Sequence, residues 1–154
     1  MGMSREHIYR AKRVYWRKLP KEIWWVDGDL IHEPYGTVIQ YYEDEINDKG
    51  NCTKTSKKKR IKEVVDPETV CEYTGLTDKN GRKIFEGDIV ETVYDGKINP
   101  NYVVVWDDDE LDFKATNGKE YYKTNYQYLG CCDEIIVIGS IFDNPELLEG
   151  DVTE

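Results

Sequence analysis

The chain is poor in the residues and patterns that mark the common enzyme and membrane classes. No run of eighteen apolar residues occurs, which argues against a membrane-spanning helix. The N-terminus lacks an apolar signal region and position 6 is Glu6, so the myristoylation pattern is unmet and a cytoplasmic protein is expected. The sequence has only two histidines, His7 and His32, and four cysteines, Cys52, Cys71, Cys131 and Cys132. None of the cysteines forms a C-x-x-C pair or neighbours a histidine, so no zinc site is written into the spacing. G-x-S-x-G is absent, and Thr74-Gly75 and Glu86-Gly87 stand alone as turn signals, not as a phosphate-binding loop. Ala, Leu and Met are scarce, which disfavours long helices.

What is present is aromatic and charged. Twelve tyrosines and four tryptophans in 154 residues favour strands, with many rings whose hydroxyl or indole N–H needs a partner or a wet edge. That length fits one domain with one sizeable core. The net charge of −10 divides into +5 over residues 1–62 and −15 over 63–154. Such an asymmetry serves solubility, attracts nucleic acid to the basic front, or draws front to back between domains or subunits.

Strand signals fill the front: 7–15, 22–31, with Gly28 marking a bulge or close backbone approach, and the β-branched and aromatic stretch 36–42. Residues 43–62 carry almost no apolar residues and read as an exposed, mobile charged loop. Asp66-Pro67-Glu68 opens a short helix predicted to end near Tyr73. Asp78-Lys79-Asn80-Gly81 is a turn with Asp78 capping it, and Asp88–Tyr94 a strand. The stretch 102–106 returns as 111–115 across the acidic turn Asp107–Glu110, and Asn117-Gly118 is another turn. Residues 120–130 show no clean period. The last strand is 135–142, followed by a helical turn capped by Asn144, and the tail from Glu149 is expected to fray.

Several groups of residues invite chemistry. Asp107, Asp108, Asp109, Glu110 and Asp112 crowd five carboxylates into six positions, but without the glycine and distal glutamate of a Ca²⁺ loop; a solvated hairpin turn is the better reading. The cysteines read as free thiols, with one of Cys131 and Cys132 facing inward and the other outward by strand alternation. Lys57, Lys58, Lys59, Arg60 and Lys62 form a compact basic run, joined by Arg10, Lys12, Arg13, Arg17 and Lys18 near the first strand. Phosphate contacts need little beyond such a density of cations, and Trp16, Trp24 and Trp25 offer rings for stacking on bases. Tyr9, Tyr15, Trp16, Trp24, Trp25, Tyr41 and Tyr42 equally suit a subunit interface or the core.

Two stretches carry a family resemblance. The first runs from Val65-Asp66-Pro67-Glu68-Thr69-Val70 through Tyr73-Thr74-Gly75-Leu76-Thr77-Asp78-Lys79-Asn80-Gly81 to Glu86-Gly87-Asp88-Ile89-Val90. The second is Ile138-Gly139-Ser140-Ile141-Phe142-Asp143-Asn144-Pro145-Glu146-Leu147-Leu148. With the front pair Arg10–Arg13 and Trp25–Leu30, they resemble the YopX family of phage and prophage proteins from Arg10 to Leu148. Cys71-Glu72 stands where many relatives have Gly-Gln. The resemblance implies a small, mainly β protein of antiparallel strands, forming a curved sheet or partly open barrel with short helices, and assigns no catalytic residue. The chain is therefore read as a single domain of this kind, with N-terminal strands over 1–42, the charged loop over 43–62 and a signature β-rich part over 63–148. Expected is a non-enzymatic interaction protein that binds itself and a host or phage protein, with no cofactor, metal or membrane. The alternative is a nucleic-acid-binding accessory protein using Arg10, Lys12, Arg13, Trp24, Trp25, Lys57, Lys58, Lys59, Arg60 and Lys62. A third reading, an acidic mimic, rests on the −15 half alone.

Overall fold

The structure is a computed structural model and describes residues 6–44, 58–117 and 126–148. The chain divides into two compact units, one spanning His7–Val70 and one built from Cys71 onward. The front unit holds β1 (Tyr9–Lys12), β2 (Trp25–Glu33), β3 (Gly36–Asp44) and β4 (Lys58–Val64), ordered β4-β3-β2-β1 and antiparallel. A bridge between Arg13 and Val65 draws the end of β4 back towards the end of β1, so the sheet curls. Ala11, Val26, Ile39 and Val65 form its core, with Tyr9, Leu30, Tyr41 and Val70 packed around them. At Gly28, a Cβ would lie 2.2 Å from the Gln40 carbonyl oxygen, so the expected close approach is what this glycine permits.

The back unit holds β5 (Cys71–Thr77), β6 (Lys83–Phe85), β7 (Asp88–Tyr94), β8 (Lys97–Asp107), β9 (Asp112–Thr116), β10 (Tyr126–Tyr128) and β11 (Glu134–Ser140). β5 pairs with β6, and the other five form an antiparallel sheet ordered β10-β9-β8-β7-β11. Its core gathers Ile84, Val90, Val104, Phe113, Ala115, Leu129, Ile135 and Val137. The mainly β expectation, with a curled, half-barrel sheet, is met; the helical segments are single 3-10 turns.

Three local expectations need correction. The charged loop over 43–62 is shorter than expected: Glu43 and Asp44 end β3, and Lys58–Lys62 open β4. Residues 45–57 lie outside the described residues. Register supplies what composition lacks, setting Lys58 against Asp44, Lys59 against Glu43 and Ile61 against Tyr41. The helix expected from Asp66 to Tyr73 is one turn, Pro67–Thr69; Asp66 caps it by accepting the Glu68 N–H at 3.1 Å, and Cys71 already begins a strand. The vicinal cysteines are not on a strand: Cys131 ends the 3-10 turn Leu129–Cys131 and is exposed, while Cys132 is half-buried. Residues 126–128, left without a period, form β10. Cys52, Gly118 and the tail from Glu149 lie outside the described residues.

Candidate functional site

Among its described residues, the front unit gathers most of its lysines and arginines and its three tryptophans at one corner, where the chain leaves β1. Two 3-10 turns, Trp16–Lys18 and Lys21–Ile23, carry it into β2. The Arg13 N–H donates to the Trp24 carbonyl at 2.7 Å and the Val14 N–H to the Val64 carbonyl at 3.0 Å, closing the base of this excursion. The indole N–H groups hold it further: Trp16 donates to an Asp66 carboxylate oxygen at 3.2 Å and Trp24 to the Leu19 carbonyl at 2.9 Å. The rings of Trp16 and Trp24 meet edge to face, 4.7 Å apart.

Lys12 lies inside this corner with 1% of its surface exposed. Its Nζ is 3.6 Å from the ring centre of Trp16, 4.4 Å from that of Trp24 and 5.4 Å from that of Trp25. Ring faces are the negative pole of the aromatic quadrupole, so three indoles stabilise an ammonium ion removed from water. The cage is filled by the chain's own lysine. Arg10 stacks over Trp25 at 4.8 Å and Arg17 over Trp16 at 4.2 Å. Lys21 and Lys18 lie farther out over Trp24 and Tyr15, at 5.6 and 5.8 Å.

Arg10, Lys12, Arg13, Trp24 and Trp25 are thus brought together, but much of this group is structural. Arg13 donates to the Ile23 carbonyl and to the Tyr41 hydroxyl, and its Nε lies 3.5 Å from the Glu63 carboxylate. The basic run is placed on β4, at the opposite end of the strand order from β1. Lys58 pairs with Asp44 at 2.6 Å and Lys62 with Glu33 at 3.0 Å. Lys58, Arg60 and Lys62 alternate with Lys59 and so share one face, where Arg60 stands opposite Tyr42. Lys57 lies outside the described residues.

What projects from the corner is Tyr15, 73% exposed and in the left-handed conformation at φ 59°, flanked by exposed Val14, Arg17, Lys18 and Ile23. The sequence marks Tyr15 as an interface-type aromatic and Arg17 and Lys18 as cations, but nothing in its composition singles out Ile23 or the strained backbone.

The back unit holds a second buried cation, which sequence reading missed. Lys114 is fully buried on β9; its Nζ lies 2.5 Å from Asp107 Oδ2 and 2.8 Å from Glu110 Oε1. The Tyr126 ring covers it at 3.9 Å, and the Tyr128 hydroxyl donates to Glu110 Oε2 at 2.5 Å. Burial opposes the Lys114 charge, but its hydrogen bonds to Asp107 and Glu110 outweigh burial and raise its pKa. Lys114 in turn lowers the pKa values of Asp107 and Glu110, and Glu110 raises that of Tyr128. Lys114 stands opposite Val105 and falls between the core residues Phe113 and Ala115, so alternation alone reads it as facing away from that core. The acidic turn therefore spends Asp107 and Glu110 on this lysine, and among the described residues no group of His, Cys, Asp and Glu is disposed to hold a metal.

Two shallow cavities of about 290 and 500 Å³ share Leu76, Leu129 and Gly130 as a common wall. Cys132 lines the first, its thiol pushed up to about 11 by burial and by neighbouring Cys131 and Asp133. Among the described residues no helix is long and apolar enough to cross a membrane.

A family model described as YopX protein matches residues 16–149. No curated protein matches the chain. Among solved structures, protein EF1440 from Enterococcus faecalis is similar at 22% identity with a TM-score of 0.52, covering 94% of this chain and 99% of that one. At that identity the likeness speaks to the fold alone.

Proposed function

The chain belongs to the YopX family, and we propose that it is a phage- or prophage-encoded, non-enzymatic interaction protein that associates with itself and with a protein of its bacterial host. The observation that carries this reading is the corner between β1 and β2. Val14, Tyr15 and Ile23 are exposed on a segment tied down by two indole hydrogen bonds, beside the exposed cations Arg17, Lys18 and Lys21. A pre-ordered apolar patch with a charged rim loses little entropy on docking and suits protein recognition. The family resemblance supports the phage origin.

Affinity capture from nuclease-treated host lysate tests it, with the wild-type chain against Tyr15→Ser/Ile23→Ser. A protein retained by the wild type and lost from the double variant is the expected result. Retention that vanishes with nuclease, or turnover of a substrate abolished by one point change, overturns it.

A second reading has one observation in its favour: β4 presents Lys58, Arg60 and Lys62 along one face of the strand. That row suits a phosphate backbone, although Lys58 and Lys62 are ion-paired within the unit. Binding of DNA or RNA that weakens steeply with salt, and is lost when Lys58, Lys59, Arg60 and Lys62 become Ala, would favour it; no binding at low salt removes it.

A further inference from the structure

Four non-glycine residues among those described have positive φ: Tyr15, Asp95, Asn101 and Leu111. Asp and Asn tolerate the left-handed region through local hydrogen bonding, whereas a tyrosine or leucine there is strained. Both strained residues are also thrust into water, Tyr15 at 73% and Leu111 at 72% exposure. Elsewhere the chain uses Gly75, Gly81, Gly87 and Gly96 where φ is positive, so unstrained solutions are in use. Strain retained beneath an exposed apolar side chain points to a use for that side chain.

The two sites are opposite in charge and alike in construction. Tyr15 lies under Lys18, with Arg17 and Lys21 over the neighbouring Trp16 and Trp24 rings, on a corner organised around buried Lys12. Leu111 stands among exposed Asp108, Asp109 and Asp112, on a turn organised around buried Lys114. That turn is rigid: Asp107 Oδ1 accepts the Asp109 N–H at 2.9 Å, and the Leu111 N–H donates to the Asp107 carbonyl at 2.8 Å. Each tip therefore offers a strained, exposed apolar residue on a fixed mount, the one beside mostly basic and the other beside acidic side chains.

We propose that copies of this protein assemble head to tail, the Tyr15 corner of one copy docking against the Leu111 tip of the next. This rests on the self-association part of the reading above and names its interface. The surfaces differ, so the contact is heterologous, and repetition closes a ring or extends a filament. It also gives the +5 and −15 halves of the sequence a common purpose.

Sedimentation velocity over a concentration series, at low and high salt, provides the test. Wild-type chain is expected to form species beyond the monomer that weaken with added salt. Tyr15→Gly and Leu111→Gly each relieve strain while removing the docking side chain. Each is expected to melt no lower than wild type and to weaken self-association by about tenfold or more. An equimolar mixture of the two variants retains one intact corner and one intact tip, and is expected to form a dimer that grows no further. A wild-type chain that stays monomeric at every concentration overturns the proposal, as do glycine variants that associate like wild type or a mixture that fails to dimerise. Capture of a host protein that depends on Tyr15 and Ile23 would survive any of these results, so the assembly and the broader interaction reading fail separately.

Discussion

At the scale of single residues, Gly28 and Asp78 do the most with the least. Adding a methyl group at Gly28 sets it 2.2 Å from the Gln40 carbonyl oxygen, a backbone atom that moves only if β2 and β3 part. Gly28→Ala is therefore expected to destabilise the protein by about 3 kcal/mol, the upper end of overpacking costs, measured by chemical denaturation. Asp78 sits in the signature turn, where its Oδ1 accepts the Asn80 and Arg82 N–H groups at 2.9 Å each; its Oδ2 accepts the Val137 N–H at 3.0 Å. Burial raises its pKa, but the three N–H groups outweigh that and hold the carboxyl below its ordinary 3.8. A depressed carboxylate adds stability above pH 3.8 that is lost as pH falls through the folded value. Asp78→Ala leaves a buried Val137 N–H without its acceptor and is expected to cost about 1–3 kcal/mol at pH 7, shrinking in acid once the carboxyl is protonated in the folded chain as well. Equal losses at pH 7 and in acid would remove this account. Thiol reactivity follows position as well. In a Cys52→Ser background, exposed Cys131 should alkylate first at pH 8, half-buried Cys132 later because its thiol is pushed up to about 11, and buried Cys71 last.

Among the elements, the β8–β9 hairpin shows where sequence patterns stop being legible. Its strands were readable from Tyr102 on, because Val103, Val104 and Val105 face a return strand across an obvious acidic turn, whereas the start of β8 at Lys97, ahead of Pro100, was not. Strand β7 was readable to its ends, as Glu86-Gly87 and Asp95-Gly96 punctuate it. Strand β4 was hidden, because its place is set by pairing with β3 and not by its own composition. The interior fate of Lys12 and Lys114 was hidden for the same reason: a lysine reads as surface until partners from distant positions surround it. Lys114 also governs how the hairpin responds to pH. Asp107 and Glu110 are held below their ordinary 3.8 and 4.5, so their contribution is present above those values and lost as acid protonates them. The raised Lys114 pKa has the opposite sign: its contribution is present below 10.5 and lost only at higher pH. A stability plateau from about pH 5 to 10 is expected from this cluster, flattening in Lys114→Met, which also leaves Asp107 buried without its cation and lowers the melting temperature. A Lys114→Met chain that melts like wild type would show the cluster to be dispensable.

For the whole molecule, the decisive fact is the unequal size of the two cores. The back unit buries eight residues in one apolar cluster, including Phe113, Leu129 and five isoleucines or valines, whereas the front unit's cluster holds four, one of them Ala11. Apolar area removed from water is the main stabilising term, so the front unit holds less of it per strand. It replaces part of that deficit with the Lys12 cage and with ion pairs at the surface, and surface pairs contribute little each. Local opening should follow this order. Amides of β2 and β3 are expected to exchange with solvent deuterium through openings of lower free energy than those of β7 and β8. Ile39→Ala, which removes a fully buried side chain, should cost about 2–5 kcal/mol and speed exchange first in β2 and β3. Ile84→Ala should do the same first in the back unit, where that side chain is equally buried. Native-state exchange followed by mass spectrometry reads both. If β2 and β3 were instead the last amides to exchange, the aromatic cage and not apolar area would be setting the stability of the front unit, and the Tyr15 corner would be mounted on the more durable of the two.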